Sequence, residues 1–131
     1  MENRIKVIAG LIISNNKYLI AKRNSKKVLG GLWEFPGGKI NHNESPKDCL
    51  KRELKEELNI DSTIGEFICQ NSHDYDDFSI DLHLYEVKSF KGEILNIEHD
   101  EVKWISKEKF DDFDFAPADI PLINKIREQW N

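Results

Sequence analysis

The chain has 131 residues, of which 39% are hydrophobic and 33% are charged, and its formal net charge is −5. This length and composition predict one soluble globular domain over residues 1–131. The acidic balance argues against a nucleic-acid footprint, and no apolar run is long enough to span a membrane. Cys49 and Cys69 form no CxxC pair, as is typical of a reducing compartment, so we expect a cytoplasmic protein.

The first third of the chain predicts a series of strands. Residues 5–13 are rich in Val and Ile, which predicts a buried strand. After a turn at residues 14–17, residues 18–23 predict the returning strand of a hairpin. Residues 24–31 are polar and end in glycine, which predicts a loop, and residues 32–35 predict a short strand.

The clearest predicted helix follows a sharp turn at the Pro-Gly-Gly of residues 36–38. Ser45 suits the N-cap position and Pro46 the first helical position. Asn59 stands where a left-handed residue would end the helix. A leucine at every fourth position predicts the buried stripe of this helix. The stripe consists of Leu50, Leu54 and Leu58.

The rest of the chain predicts further strands and two more helices. Residues 64–69 are strand-like, and residues 78–84 alternate apolar and polar side chains, as in a half-buried antiparallel strand. Residues 101–105 predict a short strand and residues 106–110 a small helix. Pro121 opens a last amphipathic helix. Its apolar face would carry Leu122, Ile126 and Trp130. The pattern predicts an α+β fold, an αβα sandwich with a mixed β-sheet.

Four charged residues of the central helix are the most informative feature of the chain: Arg52, Glu53, Glu56 and Glu57. Positions three and four apart are neighbours on a helix, so the three carboxylates crowd one side. Bare carboxylates repel one another, and hard oxygen ligands suit Mg²⁺ or Mn²⁺. The sequence therefore predicts a metal site. A solvated charged face, or a surface ion pair between Arg52 and Glu56, is the alternative.

With its neighbours, this segment resembles the Nudix box. Gly38, five residues, Glu44, seven residues and then residues 52–60 match that signature, except that the family usually has Gly where this chain has Asn59. Asn tolerates a positive φ, so we expect the loop to be preserved. Residues 32–39 and 115–122 are similar to the MutT branch of the superfamily, above all to its CTP pyrophosphohydrolases and 8-oxo-dGTP diphosphatases.

The resemblance implies the αβα sandwich of the Nudix fold and a metal-dependent hydrolysis. A nucleoside triphosphate would be cleaved to nucleoside monophosphate and pyrophosphate by attack of water on the β-phosphorus. Glu53, Glu56 and Glu57 match the family's metal ligands, for Mg²⁺ or, as the alternative, Mn²⁺. The Gly37 carbonyl would add an oxygen ligand, because glycine lets the backbone come close.

The resemblance also implies a general base. Glu53 is the first choice, because Arg52 beside it would fix its orientation. Glu98 is the second choice, since it lies in a polar loop where the MutT branch places an additional metal-binding or base glutamate. A solvated loop residue is the alternative for Glu98. Glu44 is expected to stabilise the junction between loop and helix.

Five residues are expected to contact the nucleotide: Arg23, Phe35, Gly38, Lys39 and Asp119. Lys39 would meet a phosphate, and Arg23 a base or phosphate. Phe35 would stack on the base or belong to the core. In MutT-like enzymes the position matching Asp119 contacts the base. An ionised Asp only accepts hydrogen bonds, which favours the N4 amine of cytosine. The alternative is that Asp119 caps the last helix.

We therefore expect a monomer or homodimer that hydrolyses CTP, dCTP or a modified cytosine nucleotide and binds neither nucleic acid nor membrane. An 8-oxo-dGTP diphosphatase for mutation avoidance is the nearest alternative. A Nudix enzyme for another substrate, such as ADP-ribose, and a catalytically silent nucleotide-sensing domain are more distant ones. The four histidines show no metal-ligand spacing, and none is assigned a role. They are His42, His73, His83 and His99.

Overall fold

The computed structural model describes residues 4–129. The strands are β1 (Arg4–Leu11), β2 (Ile13–Ser14), β3 (Lys17–Lys22), β4 (Trp33–Glu34), β5 (Gly37–Lys39), β6 (Asp61–Asp74), β7 (Ser79–Lys91) and β8 (Glu101–Ser106). The helices are α1 (Pro46–Leu58) and α2 (Ile120–Gln129), with short 3₁₀ helices over Lys107–Asp112 and Pro117–Asp119. The predicted contribution of Trp130 to the last helix lies outside the described residues.

The strands form two four-stranded sheets. In the first, with the order β5-β1-β7-β6, β1 runs parallel to β7 while the other pairs are antiparallel. In the second, β3 pairs antiparallel with β2, β4 and β8. The predicted α+β fold with a mixed sheet is confirmed. The turn predicted at residues 36–38 is wrong in part, because Gly37–Lys39 is an edge strand that pairs with residues 7–9.

Two hydrophobic cores lie on opposite sides of the strands. Successive side chains of a strand point to opposite faces, and β1 and β3 accordingly supply residues to both cores. Helix α1 closes one core and α2 closes the other, which confirms the αβα sandwich. The α1 side holds Cys49, Leu50, Leu54 and Leu58, and the α2 side holds Leu122, Ile123 and Ile126.

Helix α1 begins and ends as its sequence predicts. The Ser45 hydroxyl accepts a hydrogen bond from the Asp48 N–H at 3.1 Å, and Pro46 is the first helical residue. At the other end Asn59 has φ 61° and ψ 33°, and its N–H donates to the Lys55 carbonyl. The Asn that replaces the family's usual Gly therefore makes the same left-handed turn.

Strands β6 and β7 are much longer than predicted. The sequence indicated residues 64–69 and 78–84, but the strands pair over 14 and 13 residues, with irregular register between residues 63 and 69. Pairing with a neighbour satisfies the backbone even where the side chains are polar and exposed, which the alternation of side chains does not reveal. Among residues 4–129 no helix has both the length and the apolar character needed to cross a membrane.

Candidate active site

The loop between β7 and β8 is tied to the carboxyl end of α1. The N–H groups of Leu95 and Ile97 donate to the carbonyls of Leu58 and Glu57, at 3.0 and 3.1 Å. The last carbonyls of a helix lack partners within the helix, so a loop that supplies donors is held there. These bonds bring Glu98, the next residue of the loop, to the helix that carries the Nudix-box carboxylates.

A small polar cavity of about 140 Å³ lies where this loop, α1 and β5 meet. Six of the predicted site residues line it: Arg23, Gly37, Gly38, Glu53, Glu57 and Glu98. Glu56 is not among the lining residues, since its half-exposed carboxylate points to Arg52 instead. A Cβ on Gly38 would collide with the Glu53 carboxylate, so glycine is what lets this carboxylate approach the backbone.

Arg52 holds a network of carboxylates beside the cavity. Its guanidinium makes two hydrogen bonds with Glu44, at 2.8 and 3.0 Å, and one with Glu53 at 2.8 Å. It also reaches Glu56 at 3.3 Å. Arg52 and the Asn41 N–H lower the pKa of Glu44 to about 2. Glu44 thus joins the loop to the helix, as predicted, and Arg52 fixes the orientation of Glu53.

Glu57 is the buried carboxyl of the site, with 3% of its surface exposed. Burial above all, together with the nearby carboxylates of Glu53, Glu34 and Glu98, raises the pKa of Glu57 to about 10. Its Oε1 atom is buried and has no hydrogen-bond partner among the described residues. A buried carboxyl among other carboxylates needs either a proton or a cation.

The residues at this cavity fit a divalent cation. The donors are hard oxygens, which Mg²⁺ and Mn²⁺ prefer, and the unpartnered Oε1 of Glu57 offers one of them. Among residues 4–129 no three His, Cys, Asp or Glu side chains are already gathered as a ligand set. Glu53 bonds to Arg52 through Oε2 and already lines the cavity, whereas the Glu56 carboxylate bonds to Arg52 outside the cavity lining and would have to turn to bind the cation.

Two residues of the site were missed by the sequence interpretation, Glu34 and His99. The Nε2 atom of His99 lies 3.3 Å from Glu34 Oε2 and 3.8 Å from Glu57 Oε1, and the His99 side chain is only 7% exposed. Its Nδ1 is buried and has no hydrogen-bond partner among the described residues. Their only signal in the sequence was that each is next to a predicted site residue, since Glu34 precedes Phe35 and His99 follows Glu98.

A second, larger cavity of about 760 Å³ adjoins the first. The two cavities share Arg23, Glu34, Gly37 and Gly38 in their linings. All five residues predicted to contact the nucleotide line the larger one: Arg23, Phe35, Gly38, Lys39 and Asp119. Much of its remaining wall is apolar, from Tyr75, Phe78, Ile80 and Leu82. The arrangement joins an oxygen-rich corner to a space large enough for a nucleoside.

The basic residues and Phe35 differ in how they meet this larger cavity. Lys39 is exposed, and Arg23 donates from Nε to the Val28 carbonyl at 2.6 Å with Nη1 lying 3.5 Å from Glu34 Oε1. Phe35 is 3% exposed and packs against other core aromatic rings. Phe35 is therefore a core residue that also borders the cavity, and its stacking on a base stays a prediction.

Asp119 is buried in the wall of the larger cavity. Its Oδ2 accepts a hydrogen bond from the Phe35 N–H at 3.1 Å, and no hydrogen bond within the described residues joins its side chain to α2. The capping alternative is therefore wrong. Burial raises the pKa of Asp119 well above its usual range, with the charge of Glu34 adding to the effect and the Phe35 N–H and Arg23 opposing it.

Comparison with known proteins agrees with this geometry. The NUDIX domain family matches residues 8–125. The CTP pyrophosphohydrolase of Escherichia coli K12 is 40% identical over 119 residues, covering 91% of this chain and 88% of that protein. The 8-oxo-dGTP diphosphatase of Proteus vulgaris is 39% identical over 94 residues, covering 71% of this chain and 84% of that protein.

Among solved structures, the solution structure of the E. coli ORF135 protein superimposes with a TM-score of 0.86 at 37% identity. It covers 97% of this chain and 91% of that one. The match extends over both cavities and both helices rather than over the Nudix box alone. The chain therefore belongs to the NUDIX domain family, as a Nudix hydrolase of the MutT type.

Proposed function

We propose that this hydrolase cleaves a nucleoside triphosphate to nucleoside monophosphate and pyrophosphate with Mg²⁺ as its cation. The observation that carries the proposal is the buried Glu57 carboxyl, with its unpartnered oxygen, in a polar cavity that opens into a nucleoside-sized one. Relatives named for CTP and for 8-oxo-dGTP hydrolysis support the substrate class.

Residues in and beside the smaller cavity would bind the cation and activate the attacking water. Glu53, Glu56, Glu57, Glu98 and the Gly37 carbonyl would hold the cation. When bound, it offsets phosphate charge and lowers the pKa of a water molecule. Glu53, oriented by Arg52, takes a proton from the attacking water, and Glu98 is the second candidate for this base.

Attack of water on the β-phosphorus forms one P–O bond and breaks another. The water oxygen bonds to that phosphorus as the bond to the α–β bridging oxygen breaks. The nucleoside monophosphate leaves with the bridging oxygen, and the water oxygen stays in pyrophosphate. Arg23 and Lys39 are two of the cationic residues that line the larger cavity, and they are the ones we assign to phosphate oxygens.

Asp119 supports two candidate bases, depending on its protonation. An ionised Asp119 only accepts hydrogen bonds, which favours the N4 amine of CTP, dCTP or a modified cytosine nucleotide. A protonated Asp119 both donates and accepts hydrogen bonds, as an Asn side chain would. Because burial raises the pKa of Asp119, 8-oxo-dGTP is a second candidate substrate with a specific structural reason.

The test is a substrate panel with purified protein. With Mg²⁺ we expect pyrophosphate release from CTP, dCTP, 5-methyl-dCTP or 8-oxo-dGTP, with the cytosine nucleotides preferred and little turnover of ADP-ribose. In H₂¹⁸O the label should appear in pyrophosphate and not in the monophosphate. Strong turnover of ADP-ribose, with no turnover of these triphosphates, would overturn the proposal. Label in the monophosphate would show that water does not attack the β-phosphorus.

A further inference from the structure

The hairpin loop between β6 and β7 forms an aromatic wall of the larger cavity. Tyr75 and Phe78 both line the cavity, and their ring centroids lie 5.1 Å apart with the planes inclined by 32°. The loop is closed by a hydrogen bond from the Tyr75 N–H to the Phe78 carbonyl at 2.8 Å. A second bond, from the Ser79 hydroxyl to Asp74 at 2.6 Å, braces its base. The two rings are thus held on a short, braced loop.

The same hairpin holds the segment that carries Asp119. The Tyr75 hydroxyl oxygen accepts a hydrogen bond from the Ala118 N–H at 3.1 Å. Asn71, four residues earlier on β6, donates from Nδ2 to the Ala118 carbonyl, also at 3.1 Å. Both backbone polar groups of Ala118 are therefore bound by one strand and its turn. Because Ala118 directly precedes Asp119, these two bonds also fix the position of the Asp119 backbone, from which the carboxyl side chain extends.

The Tyr75 hydroxyl retains one hydrogen-bonding capacity. A tyrosine hydroxyl both accepts and donates, and here only its oxygen is engaged by the described residues. Tyr75 lines the larger cavity together with Asp119, Glu34 and Arg23, and its hydroxyl is bonded to the residue that directly precedes Asp119. One donor, Tyr75, therefore stands beside one carboxyl, Asp119, with aromatic rings as the adjoining wall.

We propose that Tyr75 is a specificity-determining residue. It fixes Asp119 through Ala118, and its hydroxyl donates a hydrogen bond to an acceptor on the nucleobase. The ligand it suits is a base edge with a hydrogen-bond donor next to an acceptor, as the N4 amine and N3 of cytosine provide. The rings of Tyr75 and Phe78 supply the surface against which the base lies. This inference rests on the proposed function, because it assumes that the larger cavity binds the nucleoside.

The test compares Tyr75→Phe with Tyr85→Phe. Tyr85 is a partly buried tyrosine of β7 that contacts Phe67 and does not line either cavity, so it controls for the loss of any hydroxyl. Tyr75→Phe keeps the ring but leaves the Ala118 N–H unpaired and removes the donor. We expect KM for the preferred nucleotide to rise about 5–30-fold, kcat to change less, and the preference among bases to shrink.

A second variant distinguishes the contribution of the aromatic wall to binding from that of the Tyr75 hydrogen bonds. Phe78→Leu removes a ring but keeps the Tyr75 hydroxyl, so it should raise KM for all nucleotides by similar factors and leave their ranking unchanged. If Tyr75→Phe matches Tyr85→Phe on every nucleotide while the wild-type protein is active, the inference alone is overturned. If the wild-type protein hydrolyses no nucleotide, the proposed function is wrong, and so is the inference that rests on it.

Discussion

The two adjoining cavities differ in size and in chemistry. The smaller one, of about 140 Å³, is lined by carboxylates and glycines around the end of α1. The larger one, of about 760 Å³, has apolar and aromatic walls and a single deeply buried carboxyl, Asp119. They meet at shared residues such as Arg23 and Glu34. From this contrast we expect hydrolysis and base selection to depend on largely separate sets of residues, so that substitutions should separate the two.

The largest effect is expected from Glu57→Gln. It removes the charge of the buried ligand, and even residues that only support metal ligands cost 10–100-fold when changed. We expect kcat/KM to fall more than about 100-fold. Glu66→Gln is the matched control, because Glu66 is an exposed glutamate of β6 outside both cavities. Steady-state kinetics measure this, and activity within a factor of two of the wild type would remove Glu57 from the metal site.

Arg52→Lys should have the next largest effect. Lys keeps the charge but cannot make the two-pronged bond to Glu44 while also holding Glu53. We expect kcat to fall roughly 10–100-fold, with KM changing much less, because the base is misoriented and the nucleoside cavity is untouched. A rise in KM alone, with kcat preserved, would place Arg52 in substrate binding instead.

A smaller effect, confined to base selection, is expected at Asp119. Asp119→Asn should lower turnover of cytosine nucleotides about 10-fold more than turnover of 8-oxo-dGTP, since Asn can donate as well as accept. Equal losses for all bases would show that Asp119 acts only by bonding to the Phe35 N–H.

The same carboxyl predicts a pH dependence of substrate choice. The pKa of Asp119 is raised, so rising pH converts a group that donates and accepts into one that only accepts. The ratio of kcat/KM for CTP to that for 8-oxo-dGTP should therefore increase as pH rises, by up to about 10-fold. The Asp119→Asn variant should show a flat ratio over the same range. A ratio that falls with pH in the wild type would contradict this reading of Asp119.

The smallest effect concerns stability without divalent cations. The pKa of Glu57 is raised to about 10 in the folded protein from an ordinary 4.5, so the folded state binds this proton more tightly than the unfolded state. That contribution to stability is complete below the ordinary pKa and is lost as pH rises towards 10. In EDTA, the Tm of the wild type should fall relative to that of Glu57→Gln between pH 6 and 9, by at least about 4 °C.

Addition of Mg²⁺ provides the control for that measurement. Binding to the ionised carboxyl should raise the Tm of the wild type and leave the Tm of Glu57→Gln almost unchanged. Parallel curves for the two proteins in EDTA would show that Glu57 is not a buried, protonated carboxyl.

The fold and the small cavity could be predicted well from sequence, because their signals are local. The caps of α1, its leucine stripe and the spacing from Gly38 to Glu57 all lie within residues 38–59. Glu34 and His99 were missed, because they lie 23 and 42 residues from Glu57 in the sequence and join the site only when the chain folds. No local pattern marks such long-range neighbours.

The larger cavity shows the same limit. The similarity of residues 115–122 to the MutT branch pointed to Asp119, yet its burial and its bond to Phe35 depend on contacts 84 residues apart. The Tyr75 turn gave no sequence signal, since its partner Ala118 lies 43 residues further along. Residues 36–38 predicted a turn, although pairing with β1 makes residues 37–39 a strand.

The separation of hydrolysis from base selection is tested most directly by one matrix of kcat/KM values. It compares the wild type, Glu57→Gln and Asp119→Asn on CTP and 8-oxo-dGTP with saturating Mg²⁺. We predict that Glu57→Gln lowers both values by the same factor, and that Asp119→Asn changes their ratio about 10-fold. A ratio that shifts as much in Glu57→Gln as in Asp119→Asn would contradict the division between the two cavities.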